Sequence, residues 1–138
     1  MAQPTVGVIG LGSLGSAMAR RLANLGWSVH GYDVDARRLA EAAAAGITPA
    51  ISASALGAAC DRVILSLPDS DAVERACLGE SGLVYGARAD LLLVDTTSGY
   101  PHQTRRIAAA LAQRGIRMID AAITAPAGGA AMAAQGQL

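Results

Sequence analysis

The chain has 138 residues, 52% of them hydrophobic, and its 11 basic residues, all arginine, are balanced by 11 acidic ones. This length fits one domain with a real core, and the zero net charge excludes the basic field with which nucleic acids or anionic membranes are bound. No apolar run reaches the ~20 residues needed to cross a bilayer. Cys60 and Cys77 lack metal-ligand spacing, which predicts buried free thiols and a cytoplasmic location.

Short apolar runs alternate with helix-patterned stretches along the whole chain. The predicted strands are residues 5–9, 28–33, 47–50, 62–67, 90–95 and 117–119. The predicted helices are residues 14–25, 36–45, 52–59, 71–78 and 101–114. Gly26, Gly46 and Gly115 stand where helix C-terminal caps belong. The alternation predicts an α/β fold of the Rossmann type, a doubly wound, mostly parallel sheet with helices on both faces.

A glycine-rich turn joins the first predicted strand to the first predicted helix. Gly10, Gly12 and Gly15 form the pattern G-x-G-x-x-G, and the residues between them are Leu11, Ser13 and Leu14. In such a turn the first glycine allows the sharp bend, the second the approach of a pyrophosphate, and the third close packing of helix on strand. The first N–H groups of the helix then face the phosphates. The sequence therefore predicts a dinucleotide site at residues 10–15.

Asp33 ends the second predicted strand, about 20 positions after the glycines, where an acidic side chain accepts hydrogen bonds from the adenosine ribose. Its charge would repel a 2′-phosphate, so the sequence favours NAD over NADP, although Arg37 and Arg38 could hold such a phosphate. The alternative is that Asp33 or Asp35 merely caps the helix beginning near residue 36. We predict the ribose role for Asp33 and the cap for Asp35.

Further candidates follow the carboxyl ends of other predicted strands, the edge at which doubly wound sheets bind their ligands. Leu67 and Pro68 either line a ribose or simply end the fourth strand. Asp71 either contacts the cofactor or N-caps the next helix, and we favour the cap. The hydroxyls of residues 96–98 are candidates for a nicotinamide ribose or a substrate carboxylate, with capping of the following helix as the alternative.

Four segments carry a family resemblance that spans nearly the whole chain. They are the glycine turn with its flanks at residues 8–19, the Leu-Pro-Asp at 67–69, the D-x-[ST]-[ST]-x-x-P at 95–101, and the G-G-x-x-x-A-x-x-G-x-L at 128–138. In order and spacing they resemble the β-hydroxyacid dehydrogenase family, whose relatives include 3-hydroxyisobutyrate and tartronate semialdehyde reductases and 6-phosphogluconate dehydrogenase.

This resemblance implies hydride transfer between NAD(P) and a small 3-hydroxy acid or its semialdehyde or keto form. It implies that Leu67, Pro68 and Ser98 line the nicotinamide half of the cofactor. The family's substrate segment normally supplies a serine for the substrate carboxylate. Here that position falls on Thr124 counted forward from Asp120 but on an alanine counted back from the paired glycines. The expected substrate-binding residues are therefore Thr124, Gly128 and Gly129.

The sequence departs further from the pattern of this family at the catalytic group. That group is a lysine in a second, helical domain, which needs a lowered pKa to exchange a proton with the substrate. The chain contains no lysine. We therefore expect residues 1–138 to be a cofactor domain that stops before its last strands, has no catalytic residue of its own and belongs to a protein that is homo-oligomeric at full length.

Two other functions remain open at this point. One is a non-catalytic module that senses dinucleotides, which would lack a downstream helical domain with a lysine. The other is the cofactor domain of an imine reductase, an enzyme class that prefers NADPH and usually carries Asn-Arg-Ser/Thr after the second strand. The Asp-Val-Asp at residues 33–35 argues against the imine reductase.

Overall fold

The computed structural model describes residues 3–123. Its strands are β1 (Thr5–Ile9), β2 (Ser28–Tyr32), β3 (Thr48–Pro49), β4 (Arg62–Leu65), β5 (Leu92–Asp95) and β6 (Arg117–Asp120). Its helices are α1 (Ser13–Asn24), α2 (Ala36–Ala44), α3 (Ala53–Ala59), α4 (Ser70–Leu78) and α5 (Pro101–Ala112). The strict alternation of strand and helix confirms the sequence-based prediction, which missed only a single 3-10 turn at Leu83–Tyr85.

The strands form one sheet in the order β3-β2-β1-β4-β5-β6. Every pairing among the described strands is parallel, with Val8 of β1 opposite Gly31 on one side and Ile64 on the other. From β1 the chain builds outward to β2 and β3, and then crosses back to build β4, β5 and β6 on the other side. The carboxyl ends of β1 and β4 therefore flank a topological switch point, where doubly wound sheets bind ligands.

Helices cover both faces of this sheet, as the two hydrophobic clusters show. Val6 and Val8 of β1 point to one face, where they pack with residues of α1 and α2 such as Ala19 and Ala42. Ile9 belongs to the cluster on the other face, with residues of α3, α4 and α5. Strands buried on both faces read as continuous apolar runs, which is why the runs in the sequence predicted a parallel sheet.

Side-chain caps define where most helices begin. The carboxylate of Asp35 accepts a hydrogen bond from the Arg37 backbone N–H at 2.9 Å, which confirms it as the cap of α2. The cap of α4 is Asp69, whose Oδ1 accepts from the Ala72 N–H at 2.8 Å. The prediction that Asp71 caps this helix is therefore wrong. Asp71 lies in the first turn of α4, and its Oδ1 accepts from the Gln103 side chain at 3.0 Å.

The helix C-termini and the cysteines agree with expectation. Gly26, Gly46 and Gly115 have φ values of +92°, +89° and +76°, the left-handed conformation that is typical of a C-terminal cap.

Cys60 and Cys77 are fully buried and unpaired. Among residues 3–123, no helix has the length and the apolar character needed to cross a bilayer.

Candidate functional site

A cleft of about 560 Å³ opens at the carboxyl ends of β1, β2 and β4, within the usual size range of small-molecule sites. The glycine turn forms its floor, the end of β2 forms one wall, and the end of β4 with α4 forms the other. Of the predicted site residues, those that line it are Gly10, Gly12, Ser13, Leu14, Asp33, Leu67 and Pro68. The topology thus gathers into one cleft predicted site residues that lie up to 58 positions apart in the sequence, from Gly10 to Pro68.

Two glycines of the turn are required by the packing of the polypeptide itself. Gly10 has a φ of +96°, and a Cβ there would overlap the carbonyl oxygen of Ser66. A Cβ on Gly15 would overlap the carbonyl oxygen of Gly10, because α1 lies directly against the end of β1. These positions match the sharp bend and the close helix packing that the pattern predicted.

Gly12 is different, because the space beside it is open. A Cβ at Gly12 would have only Arg38 Nη1 nearby, at 4.0 Å, and the residue borders the cleft. The backbone is therefore accessible to a ligand on the side where a side chain would stand. Gly12 is also the N-cap residue of α1, and no side chain of the described residues caps that helix.

The amino terminus of α1 therefore offers its first N–H groups to the cleft. The first turn contains no acidic residue, and Ser13 and Leu14 line the cleft. Uncapped N–H groups and the positive end of the helix dipole bind anions. An open glycine beside an uncapped helix terminus fits the pyrophosphate of a dinucleotide.

Asp33 lies at the other end of the cleft floor, after β2. The residue is 8% exposed, and its Oδ2 accepts from the Leu11 backbone N–H at 2.7 Å while its Oδ1 accepts from the Asp35 N–H at 2.8 Å. The half-exposed Arg38 guanidinium lies 4.0 Å from Asp33 Oδ2. Each carboxylate oxygen can accept a further bond. The carboxylate is thus held rigidly at the cleft with capacity left for ribose hydroxyls.

The opposite wall is the Leu67–Pro68 turn that follows β4. The Ser66 N–H still donates to the Ile9 carbonyl of β1 at 2.9 Å. One residue further, the Leu67 N–H donates to Thr97 Oγ1 at 3.1 Å, so the turn is attached to the segment after β5. Thr96 Oγ1 donates to the Leu65 carbonyl at 2.6 Å.

These bonds correct the interpretation of the hydroxyl trio at residues 96–98. The hydroxyls of Thr96 and Thr97 were candidates for ligand binding, but they are engaged with the end of β4. The physical reason is that β4 and β5 are neighbours, so hydroxyls just past β5 lie within reach of backbone groups at the end of β4 and just beyond it. Ser98 is exposed and lies outside the cleft lining, and its role stays a prediction.

The other predicted site residues are distributed differently. Leu11 and Gly15 are buried beneath the turn, where Leu11 serves through its backbone N–H. Asp71 does not line the cleft. Thr124, Gly128 and Gly129 lie outside the described residues.

Sequence reasoning missed the far part of the cleft. Ala72, Arg75 and Ala76 of α4 line it together with Glu80 and Ser81. The first three stand at i, i+3 and i+4, so they share one helix face, and that periodicity was the available signal. Ser81 has a φ of +55°, which is uncommon for a residue other than glycine.

A buried carboxyl stands behind the cleft at the end of β5. Asp95 is 2% exposed, and burial raises its pKa above the ordinary value. Hydrogen bonds from the backbone N–H and the hydroxyl of Thr97 oppose this rise, whereas the charge of Asp120 adds to it. Among residues 3–123 there is no group of three or more side chains suited to hold a metal ion.

A glycine turn, an uncapped helix terminus and a fixed carboxylate at the switch point of a six-stranded parallel sheet define a dinucleotide-binding domain of the Rossmann class. Residues 5–138 match the family described as the NAD binding domain of 6-phosphogluconate dehydrogenase, and the chain belongs to this family. The family binds NAD or NADP, and its match confirms the resemblance found in the sequence.

Individual relatives agree with this assignment. The chain is 32% identical over 133 residues to L-threonate dehydrogenase of Cupriavidus necator, covering 96% of this chain and 44% of the relative. The structure of Mycobacterium tuberculosis 3-hydroxyisobutyrate dehydrogenase with L-serine is similar with a TM-score of 0.86 and 27% identity, over 97% of this chain and 44% of that one. A Streptomyces aurantiacus imine reductase gives a TM-score of 0.73 and 32% identity, over 83% and 39%. The chain therefore spans less than half the length of these proteins.

Proposed function

We propose that this chain is the cofactor-binding part of an enzyme that transfers hydride between NAD and a small 3-hydroxy acid or its semialdehyde or keto form. The observation that carries the choice of NAD is Asp33, a carboxylate held at the cleft by two backbone N–H groups. A fixed negative charge beside the adenosine ribose accepts bonds from its hydroxyls and repels a 2′-phosphate. The bound nicotinamide supplies the hydride chemistry, and the chain supplies its position.

The chain's residues divide this task. The open backbone at Gly12 and the α1 terminus hold the pyrophosphate, and Asp33 holds the adenosine ribose. Leu67 and Pro68 form the opposite wall, toward the nicotinamide half. Ser98, Thr124, Gly128 and Gly129 remain our candidates for the nicotinamide ribose and the substrate carboxylate. We place the general acid/base lysine outside the 138 residues, in a full-length protein that is cytoplasmic and homo-oligomeric.

Calorimetric titration of the chain with NAD and with NADP tests the choice of cofactor. We expect NAD to bind at least about tenfold more tightly, because the 2′-phosphate would face the Asp33 carboxylate. Asp33→Asn should narrow this ratio, since the amide is uncharged; because one of the two backbone N–H groups then loses its acceptor, the readout is the ratio of the two affinities and not either affinity alone. Asp35→Asn is the matched control, because Asp35 lies two residues away, also 4.0 Å from Arg38, but caps α2 and does not line the cleft.

The outcomes separate the two levels of the proposal. Equal affinities, or tighter binding of NADP, would overturn the NAD assignment and leave the dinucleotide site standing. Binding of neither cofactor would overturn the dinucleotide site itself.

The second candidate is the cofactor part of an imine reductase, which the similarity to the Streptomyces aurantiacus enzyme favours. Such enzymes prefer NADPH, so the same titration discriminates between the two candidates. An NADP preference that survives in Asp33→Asn would favour the imine reductase, and an NAD preference would favour the hydroxyacid dehydrogenase.

A further inference from the structure

Side-chain hydroxyls extend the contact between β4 and β5 beyond the point where the strands end. The last paired residues of this ladder are Leu65 and Asp95. The Leu65 carbonyl then accepts from both the backbone N–H of Thr96, at 3.0 Å, and its hydroxyl, at 2.6 Å. Two residues further on, the Leu67 N–H donates to Thr97 Oγ1 at 3.1 Å. At Leu67, the backbone N–H is thus paired with the Thr97 side chain and not with the backbone of a neighbouring strand.

Thr97 is itself held firmly. The residue is 5% exposed, and its N–H donates at 2.9 Å to Oδ1 of Asp95, which is 2% exposed. Hydrogen bonds from the backbone N–H and the hydroxyl of Thr97 lower the pKa of Asp95 against the rise caused by burial. Asp95, Thr97 and Leu67 therefore form a series of hydrogen bonds that runs from the buried end of β5 to the half-buried wall.

Beyond Ser66, whose N–H is paired with the Ile9 carbonyl of β1, the turn itself has few backbone donors. Pro68 lacks an N–H, so it cannot anchor itself. Asp69, which follows, is extended, with φ −159° and ψ 175°, and serves as the cap of α4. Within the Leu67–Pro68 turn itself, the Leu67 N–H is therefore the backbone donor that can fix its position relative to the sheet.

We propose that Thr97 is a positioning residue for the cofactor: its hydroxyl holds the Leu67 amide and thereby sets the distance of the Leu67–Pro68 wall from the glycine turn. This inference rests on the proposed function. Thr97 does not line the cleft, so it acts through Leu67 and touches no ligand. Loss of the hydroxyl leaves the Leu67 amide without an acceptor, and a shift of the turn toward water relieves that cost and displaces the wall.

The test compares variants of the 138-residue chain. Thr97→Val keeps the shape and removes the hydroxyl, with Thr97→Ala in its place if the valine variant does not fold. Thr97→Ser keeps the hydroxyl and should rescue the function. Thr96→Val is the matched control, because it removes the neighbouring hydroxyl, which bonds the same strand at Leu65 but not the wall.

Three measurements are made on each variant. Calorimetry with NAD well below the thermal midpoint gives the dissociation constant, thermal unfolding gives the stability, and NMR hydrogen exchange follows the Leu67 amide. We expect Thr97→Val to weaken NAD binding about fivefold or more and to speed exchange at Leu67. Thr97→Ser and Thr96→Val should bind NAD within about twofold of the unmodified chain, although Thr96→Val loses stability.

A folded Thr97→Val that binds NAD within about twofold of the unmodified chain would overturn the inference. So would an equal loss of affinity in Thr96→Val, since the effect would then follow general destabilisation. If the unmodified chain fails to bind NAD, the proposed function falls and takes this inference with it. The two failures are thus distinguished by the unmodified chain.

Discussion

Alanine substitutions at two glycines of the same turn should have opposite consequences. At Gly15 the new Cβ would overlap the Gly10 carbonyl oxygen, well inside the 3.0 Å limit that real Cβ contacts respect, and it would lie 3.3 Å from the Ser66 Cβ. Neither neighbour is the end of a flexible side chain, so α1 must move away from β1. We expect Gly15→Ala to cost at least about 3 kcal/mol of unfolding free energy, the upper range for overpacked sites. That loss lowers the thermal midpoint by roughly 10 °C.

At Gly12 the same methyl group meets no atom of the folded chain closer than 4.0 Å, and the backbone there, φ −70° and ψ −163°, suits any residue. Two small effects oppose each other: alanine reduces the entropy of the unfolded chain, but it is a poorer N-cap than glycine. The unfolding free energy of Gly12→Ala should therefore change by less than about 1 kcal/mol. Its methyl group nevertheless occupies the space through which a pyrophosphate reaches the backbone, so NAD affinity should fall by about tenfold or more.

Thermal unfolding followed by circular dichroism, together with calorimetric titration of NAD, measures both effects on the same preparations. We expect a folded chain with weakened NAD binding for Gly12→Ala and a destabilised chain for Gly15→Ala. A Gly15→Ala variant with an unchanged thermal midpoint would refute the packing argument. Unchanged NAD affinity in Gly12→Ala would refute the assignment of the open glycine to the pyrophosphate.

Other expectations concern buried ionisable groups and caps. Burial raises the pKa of Asp95 in the folded chain above its ordinary value of 3.8, so the stability of the fold is retained below that pH and falls as the pH rises through the folded pKa. Denaturant unfolding should therefore show Asp95→Asn gaining stability relative to the unmodified chain as the pH rises above about 4, and a difference that stays constant with pH would contradict this. Burial raises the pKa of Cys60 to about 11 and of Cys77 to about 12, so a disulfide-exchange reagent near neutral pH should label neither thiol until the chain unfolds. Asp69→Ala should cost about 1 kcal/mol as a lost cap, and Asp69→Asn, which keeps an oxygen that can accept from the Ala72 N–H, should cost less. Equal losses of the two variants in thermal unfolding would count against Asp69 as the cap.

The sequence was sufficient for the fold because its signals are local. Each buried parallel strand is a short apolar run, and each helix ends at a glycine or begins near a polar cap. The cap of α4 shows where local signals stop. Asp69 and Asp71 are both suitable N-caps, and the choice depends on where the helix begins. Because Asp69 is extended after Pro68, the helix begins at Ser70. No residue type in the sequence marks that position as the start.

The site was predictable in part for the same reason. The glycine turn and the acidic residue at the end of β2 can be recognised from their order along the chain. The topology of the sheet then brings them to one cleft. The roles of the Thr96 and Thr97 hydroxyls cannot be inferred in this way, because their partners lie about 30 residues away, at the end of β4 and just after it. Whether a hydroxyl at a strand end faces a ligand or a neighbouring strand depends on the register between strands, which the sequence does not state.

The starts of the helices show how the fold accommodates its site. Helices α2, α3 and α4 begin with side-chain caps from Asp35, Ser52 and Asp69. The N-cap residues of α1 and α5, Gly12 and Tyr100, provide no side-chain cap, but α5 has a proline in its first turn, which has no N–H to satisfy. A cap stabilises a helix by about 0.5–2 kcal/mol, so α1 forgoes stability that its neighbours have. A serine or aspartate at position 12 would cap α1 but would also fill the opening and bind the N–H groups that an anion needs. Under the proposed function, the uncapped start of α1 leaves these N–H groups to the pyrophosphate.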